Sequence, residues 1–245
     1  MSLVEVREQF VKISGRYDLV VDTDDWADSG ADFYINAGQL WLDRFETFKK
    51  SYARVFETIE SGDWYALFQL CRAIKEVWIS NSDGEKWKLD KTDFDVLRAA
   101  YAEDPANIDS GSPLYYSPIN IRRIPETGGA VTIDYFGATE YSADVGHFEY
   151  NGLVFLPPAD GDYKLEIHGL FYQPKLSADD DENYWTEVHP LVLVMAACRA
   201  LEVVYRNTEG VRDWENSIKS ELFGLGLDLA EEEAADIEPP MGKDL

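Results

Sequence analysis

The chain is poor in the residues on which most metal and nucleophilic chemistry rests. Its 245 residues include only two cysteines, Cys71 and Cys198, and three histidines, His147, His168 and His189. A single thiol pair so far apart, each member in an apolar setting, reads as two buried reduced cysteines rather than a disulfide or metal framework, and implies a reducing compartment. The histidines have no second His or Cys at helical or zinc-site spacing, so each reads as structural or exposed. Positive charge is scarce too: 22 Lys plus Arg face 47 Asp plus Glu, a net charge of −25. Self-repulsion and phosphate repulsion together exclude a polyanion-binding surface spread over the whole protein. The longest wholly apolar run, residues 191–198, falls far short of the ~18 residues of a membrane span. Glu5, Arg7 and Glu8 interrupt any apolar core of a secretory signal. The expectation is a protein without a membrane partner, folded in cytoplasm.

Reaction motifs are lacking as well. No Gly-x-Ser-x-Gly elbow, His-Glu-x-x-His helix or phosphate-cradling lysine loop occurs. Gly224-Leu225-Gly226 is a fragment of a dinucleotide fingerprint inside a helical stripe, where glycines bend or end a helix. Asp22, Asp24 and Asp28 are spaced like a calcium loop, but Trp26 stands where an oxygen ligand is needed and Ala27 where the turn glycine belongs. Asp179, Asp180, Asp181 and Glu182 are contiguous, so their side chains diverge and read as a solvated approach to a helix. With so many acids, carboxylate pairs carry no information about hydrolysis. No catalytic, cofactor-binding or metal-ligating residue is assigned, and the chain reads as not an enzyme.

What is present is enough apolar surface for a core: 45 % hydrophobic residues, with 7 Trp, 14 Tyr and 12 Phe. Leu3, Val6, Phe10 and Ile13 mark an amphipathic helix stopped by Gly15. Five aspartates follow (Asp22, Asp24, Asp25, Asp28, Asp32). Tyr34, Ala37, Trp41, Phe45 and Phe48 then form a second helical face, with Asp28 or Ser29 as N-cap. From about residue 50 the period shortens toward two. Residues 52–59 and 64–68 read as strands around a Ser61-Gly62-Asp63 turn. Residues 74–79 and 86–89 read as a hairpin around Asn81 to Gly84, with Trp78 and Trp87 on one face.

A helix near 93–103 carries Phe94, Leu97 and Tyr101. Pro105, Pro113, Pro118 and Pro125 argue against long regular elements over 105–130. Strands resume at 130–135, 152–156 and 163–172. Two helical stripes close the chain, Val188-Leu191-Met195-Cys198-Leu201-Tyr205 and Val211-Trp214-Ile218-Leu222-Leu225, with a tight turn over 207–210. The predicted class is α+β: N- and C-terminal helices (1–49 and 176–236) form one discontinuous helical bundle, because neither set has another partner for its apolar stripe, and an antiparallel β region (50–175) is inserted between them. Residues 237–245 form an acidic tail that orders on a partner. Tyr115, Tyr116, Phe136, Tyr141, Phe148 and Tyr150 crowd the Gly- and Pro-rich middle, and both sheet packing and an interface role stay open for them.

The order of these pieces has specific carriers. Ile35, Asn36, Ala37, Gly38, Gln39, Trp41 and Leu42 lie in the second helix, and residues 72–77 precede the Asp83-Gly84 turn, with Leu89 and Tyr101 after it. Pro157, Pro158, Ala159 and Asp160 precede a strand. Leu176, the acidic loop, Asn183, Tyr184 and Trp185 come next, and the last helices carry Pro190, Ala196, Ala197, Leu201, Glu202, Arg206, Asn207 and Trp214. In this order and spacing, over most of its length, the chain resembles the bacteriophage head-to-tail adaptors, the connector proteins of the virion neck. The resemblance implies a structural protein that forms a homo-oligomeric ring, twelvefold in the family, beneath the portal protein. Such a ring continues the DNA channel without sequence-specific binding and receives a downstream neck or tail protein. It also implies portal or subunit docking by the C-terminal segment, here Trp214, Ile218, Leu222, Phe223, Leu225, Leu227 and Leu229. The long β insertion departs from the smaller adaptors. Because exposed Tyr and Trp stack on sugars, the alternative reading is a carbohydrate- or protein-binding module of a phage tail.

Overall fold

A computed structural model describes residues 1–45, 52–100, 108–122, 124–126, 129–131 and 149–234; of these, 98, 119–122, 124–126, 129–131, 149–151 and 224–234 are described by their backbone. The class is mixed α+β, and the chain divides into two compact units, residues 1–49 with 173–245, and residues 50–172.

In the first unit, α1 (Leu3–Ser14) opens with a capping box between Ser2 and Glu5 and stops at Gly15, whose φ of 71° suits glycine. Its buried face is Leu3, Val6, Arg7, Phe10 and Val11. Ile13, expected in the stripe, is 49 % exposed. At 3.6 residues per turn the face that begins on Leu3 and Arg7 continues through Val11.

Helix α2 (Ala31–Phe45) starts where Asp28 Oδ1 accepts from the backbone N–H of Gly30 and Asp32, both at 3.0 Å. It buries Ala31, Ile35, Gly38, Gln39, Leu42 and Asp43. The predicted face of Tyr34, Ala37, Trp41 and Phe45 only flanks this one and is half-buried; Phe48 lies outside the described residues. The displacement has a cause that hydrophobicity does not show: Gln39 and Asp43 point inward to bond other parts of the chain.

Helices α4 (Tyr184–Val188), α5 (Pro190–Tyr205) and α6 (Thr208–Ala234) complete the unit. Asn183 caps α4, accepting from the N–H of Trp185 and Thr186. Helix α5 packs against α1, α2, α4 and α6 and so buries more than one stripe: Val192, Leu193, Val194, Ala196, Ala197, Cys198 and Leu201. The stripe read from the sequence is corrected accordingly, since Val188, Leu191 and Tyr205 are exposed. A Cβ on Gly38 would meet the Ala196 carbonyl carbon and the Ala197 nitrogen at 2.7 Å, so the α2–α5 contact is made backbone to backbone. Arg206 ends α5 in the left-handed region, and Asn207 Oδ1 accepts from Gly210 N–H at 3.2 Å to start α6.

The second unit is a sandwich of two four-stranded sheets. Its strands are β1 (Tyr52–Ile59), β2 (Tyr65–Phe68), β3 (Cys71–Ser80), β4 (Lys86–Lys88), β5 (Asp90–Lys91), β6 (Tyr115–Arg122), β9 (Glu149–Leu156) and β10 (Tyr163–Phe171). A ribbon of β7 (Ile124–Glu126) and β8 (Gly129–Val131) and the helix α3 (Phe94–Ala100) accompany them. The orders are β1-β10-β3-β4 and β2-β9-β6-β5. Ile59, Val77, Ile79, Leu165 and Ile167 of one sheet share a core with Phe68, Tyr116, Leu153 and Phe155 of the other.

Three expectations fail here. Strands β1 and β2 do not pair, because β1 takes β10 and β2 takes β9, so the turn at 61–63 carries the chain between sheets. In the β3–β4 hairpin Ile79 faces Trp87 while Trp78 faces Lys88. The two tryptophans therefore lie on opposite faces, Trp87 toward the core and Trp78 outward. Strand β6 forms despite Pro118: β5 ends at Lys91, opposite Tyr116, so Pro118 sits where β6 is an edge, a position that tolerates a missing N–H. The 130–135 strand is described only to Val131, and Tyr101, Pro105 and the 101–103 end of the α3 prediction lie outside the described residues.

Candidate functional site

The interface predicted on α6 separates into two kinds of residue. Ile218 and Leu222 are 0 % and 2 % exposed and belong to the core of the helical unit, with Trp214 half-buried against it. They hold α6 to its own chain, and Arg199 Nε adds a 2.9 Å bond from α5 to Glu215. Phe223 is the member left outside, 70 % exposed. Leu225, Leu227 and Leu229 lie on the helical backbone that runs to Ala234; their side chains, and the tail 237–245, lie outside what is described.

A second surface was not read from the sequence. On α2, Phe33 (68 % exposed), Ala37 and Leu40 (42 %) recur at helical spacing and line an open groove of about 580 Å³. Asp28 and Asp32 lie on it, together with Lys175, Leu176 and Ser177. The neighbouring polar side chains of α2 fix that second strip of chain. Asn36 Nδ2 donates to Leu176 O at 3.0 Å, and Leu176 N–H donates back to Asn36 Oδ1 at 3.0 Å. Gln39 Nε2 donates to Pro174 O at 2.9 Å, and Gln173 N–H to Asp43 Oδ2 at 2.9 Å. Asp43 Oδ1 accepts from Trp185 Nε1 at 2.7 Å, and Gln39 Oε1 from Asn183 Nδ2 at 2.7 Å. The helix thus pairs with 173–176 as a strand would, through two side-chain amides and one carboxylate. Each such bond contributes ~1 kcal/mol net, and about twice that where a carboxylate accepts.

The electrostatic centre of the unit is Arg7, 1 % exposed. It donates through Nε and Nη2 to both Asp32 oxygens at 2.7 and 2.9 Å, through Nη1 to Trp26 O at 2.8 Å, and reaches Asp179 at 2.8 Å. Burial works against its charge, but the bonds to Asp32 and Asp179 outweigh it and raise the pKa. Asp179 is therefore a partner of a buried cation, not a purely solvated acid. In the same loop Asp181 accepts from Ala178 and Ser177 N–H, which lowers its pKa. Asp22 is lowered likewise by the N–H of Asp24 and Asp25.

Among the described residues no group of three His, Cys, Asp or Glu is placed to hold a metal ion, and no helix is long and apolar enough to cross a membrane. Cys71 and Cys198 are buried thiols, and burial pushes them up to about 11 and about 12. No protein-family model and no curated protein matches the chain. Function is thus argued from surfaces. Of the loop aromatics, Tyr116 is 1 % exposed and belongs to the sandwich core, and Tyr115 is 41 % exposed. Tyr150 falls on β9 by its backbone, whereas Phe136, Tyr141, Phe148 and His147 lie outside the described residues. His168 bonds Glu166 at 2.9 Å, and His189 precedes α5.

Proposed function

We propose that this protein is a head-to-tail adaptor of a bacteriophage: a structural, non-enzymatic subunit that assembles as a ring, twelvefold as in the adaptors it resembles, beneath the portal. In this reading the helices of both chain ends form a bundle that closes the ring, and the inserted β region meets a downstream neck or tail protein. The protein folds in the host bacterial cytoplasm and works in the virion neck, where DNA passes through the channel without being read.

The observation that carries the reading is α6. Its 27 residues run from Thr208 to Ala234, and among its described side chains Leu222 is the last one anchored in the core, with Phe223 after it exposed. About 18 Å of helix at 1.5 Å per residue follows that anchor. An exposed Phe223 and the sequence positions Leu225, Leu227 and Leu229 make this the segment that docks on the portal. The charge of −25 supports the same role, because an acidic lumen repels packaged phosphate where a basic one would hold it by counterion release.

The test is a native mass measurement of the full chain alone and with purified portal. A ring, self-formed or portal-templated, is expected. A strict monomer under both conditions that instead gains thermal stability with oligosaccharide would replace this reading with the tail binding module.

A further inference from the structure

On β1, β10, β3 and β4 the alternation of the strands puts Ile59, Leu165, Ile167, Val77 and Ile79 into the core, and their neighbours on the opposite face. That outward face carries Arg54, Lys164, Lys86 and Lys88 against two carboxylates, Glu166 and Glu76. Glu166 is held by Lys86, by Arg54 at 3.3 Å and by His168 at 2.9 Å, and Glu76 by Lys88 at 2.7 Å. Lys164 stands 4.2 Å over the exposed Phe56 ring and meets no carboxylate within salt-bridge distance among the described residues. A face with two cations per acid is the inverse of a chain that has 47 acids for 22 cations.

The helical unit has the complementary surplus. Asp22, Asp24, Asp25 and Asp28 are exposed, and no Lys or Arg among the described residues pairs with them. Their loop is stiffened by backbone bonds to Asp22, Asp25 and Asp28. We infer that the outward β1-β10-β3-β4 face docks the acidic helical unit of a second copy of this chain, with the Asp22–Asp28 loop set against Lys88 and Lys164. The inference rests on the ring reading and names the subunit contact within it: unpaired acid on one copy meets a face of net positive charge on the next, where Lys164 has no carboxylate among the described residues and Lys88 shares one, which relieves the repulsion that −25 per copy would otherwise impose on ring closure. A nucleic acid on the same face would have to approach a strongly acidic protein, whereas a second copy brings its charge at fixed positions.

The experiment is sedimentation of the full chain at low and high salt, beside K88E/K164E, D24K/D25K and the quadruple variant that combines them. Lys86 is spared because it holds the buried Glu166. Assembly is expected to weaken roughly tenfold or more in each double variant, to recover in the quadruple, and to weaken with salt in the wild type. Unfolding midpoints near wild type confirm that the variants fold. A wild type that assembles while K88E/K164E assembles equally well overturns this inference and leaves the ring reading standing. Failure of the quadruple to recover overturns it also, as does a fluorescent single-stranded oligonucleotide bound by wild type and released by K88E/K164E with assembly intact. A wild type that stays monomeric with and without portal overturns both.

Discussion

Arg7 grips Asp32 with two parallel bonds, Nε to Oδ1 at 2.7 Å and Nη2 to Oδ2 at 2.9 Å, from a position only 1 % exposed. The fork ties α1 to the first turn of α2. The remaining donor, on Trp26 O, holds a residue whose φ of 57° is uncommon for a tryptophan. One side chain thereby fixes the acidic loop, two helices and, through Asp179, the approach to α4.

Replacing Arg7 with Met keeps most of the volume but leaves Asp32 and the Trp26 carbonyl without their donor. Removing one member of a buried pair costs about 3 kcal/mol or more. The R7M variant is expected to lose that much in a urea titration. The double variant R7M/D32N, which removes both charges, should recover a large part of the loss, and a double variant no more stable than R7M would show that the pair is not the source.

Acid should weaken the β unit through Glu166. Its pKa is lowered by Lys86 first, with His168 assisting, against the opposing effect of burial. A carboxylate lowered on folding contributes stability that is whole above its unfolded value, ~4.3 for Glu, and is lost as pH falls through the lower folded value. Protonation of the remaining acids relieves self-repulsion over the same range, so the absolute melting temperature mixes two opposed effects. The difference between wild type and E166Q isolates one: it is expected to be largest near neutral pH and to shrink below about pH 4.

The thiols give a simpler measurement. With burial raising Cys71 to about 11 and Cys198 to about 12, almost no thiolate exists at pH 8. A disulfide reagent should titrate neither in the native protein and both in denaturant. Fast native reaction of Cys198 would mean that α5 opens far more readily than its packing implies.

How far the chain could be read in advance depended on which force placed each residue. Leu3, Val6 and Phe10 were legible because an apolar stripe with a Gly15 stop has one reading. Arg7 sits in that same stripe but outside its apolar pattern, since only the partners at 32 and 179 make its burial favourable. Gln39 and Asp43 were missed for the same reason, and they rotated the buried face of α2. Trp78 and Trp87 show the sensitivity of sheets, where a single residue of register decides which side of a hairpin a ring occupies. For the candidate site, the α6 stripe was visible, but spacing does not tell a side chain packed on its own α5 from one left for a partner. Asn36, Gly38 and Gln39, carriers of the adaptor resemblance, now have structural roles: two pair with 173–176, and the glycine admits α5.

Gly38 should be intolerant even of alanine. The added methyl would fall 2.7 Å from backbone atoms of Ala196 and Ala197, which cannot swing aside as a flexible side chain can. Helix propensity favours alanine by ~1 kcal/mol, but forced separation of packed helices costs ~1–3 kcal/mol, so a net loss is expected for G38A in chemical unfolding. A neutral or stabilised variant would mean that α2 and α5 part easily.

Helix α6 offers the sharpest separation of fold from function. Leu222 is buried in the helical core, so L222A should cost about 2–5 kcal/mol. Phe223, one residue on and 70 % exposed, has no such role, and F223S should stay within ~0.5 kcal/mol of wild type. Under the adaptor reading the order reverses when co-sedimentation with portal is measured at a temperature where both variants are folded: F223S loses binding, whereas L222A keeps whatever its folded fraction allows. Adjacent residues of one helix then report on two different partners, α5 within the chain and the portal outside it. If F223S binds portal like wild type while truncation after Gly224 abolishes binding, docking lies wholly in the leucine positions 225, 227 and 229. If neither change matters, the C-terminal helix is not the docking element.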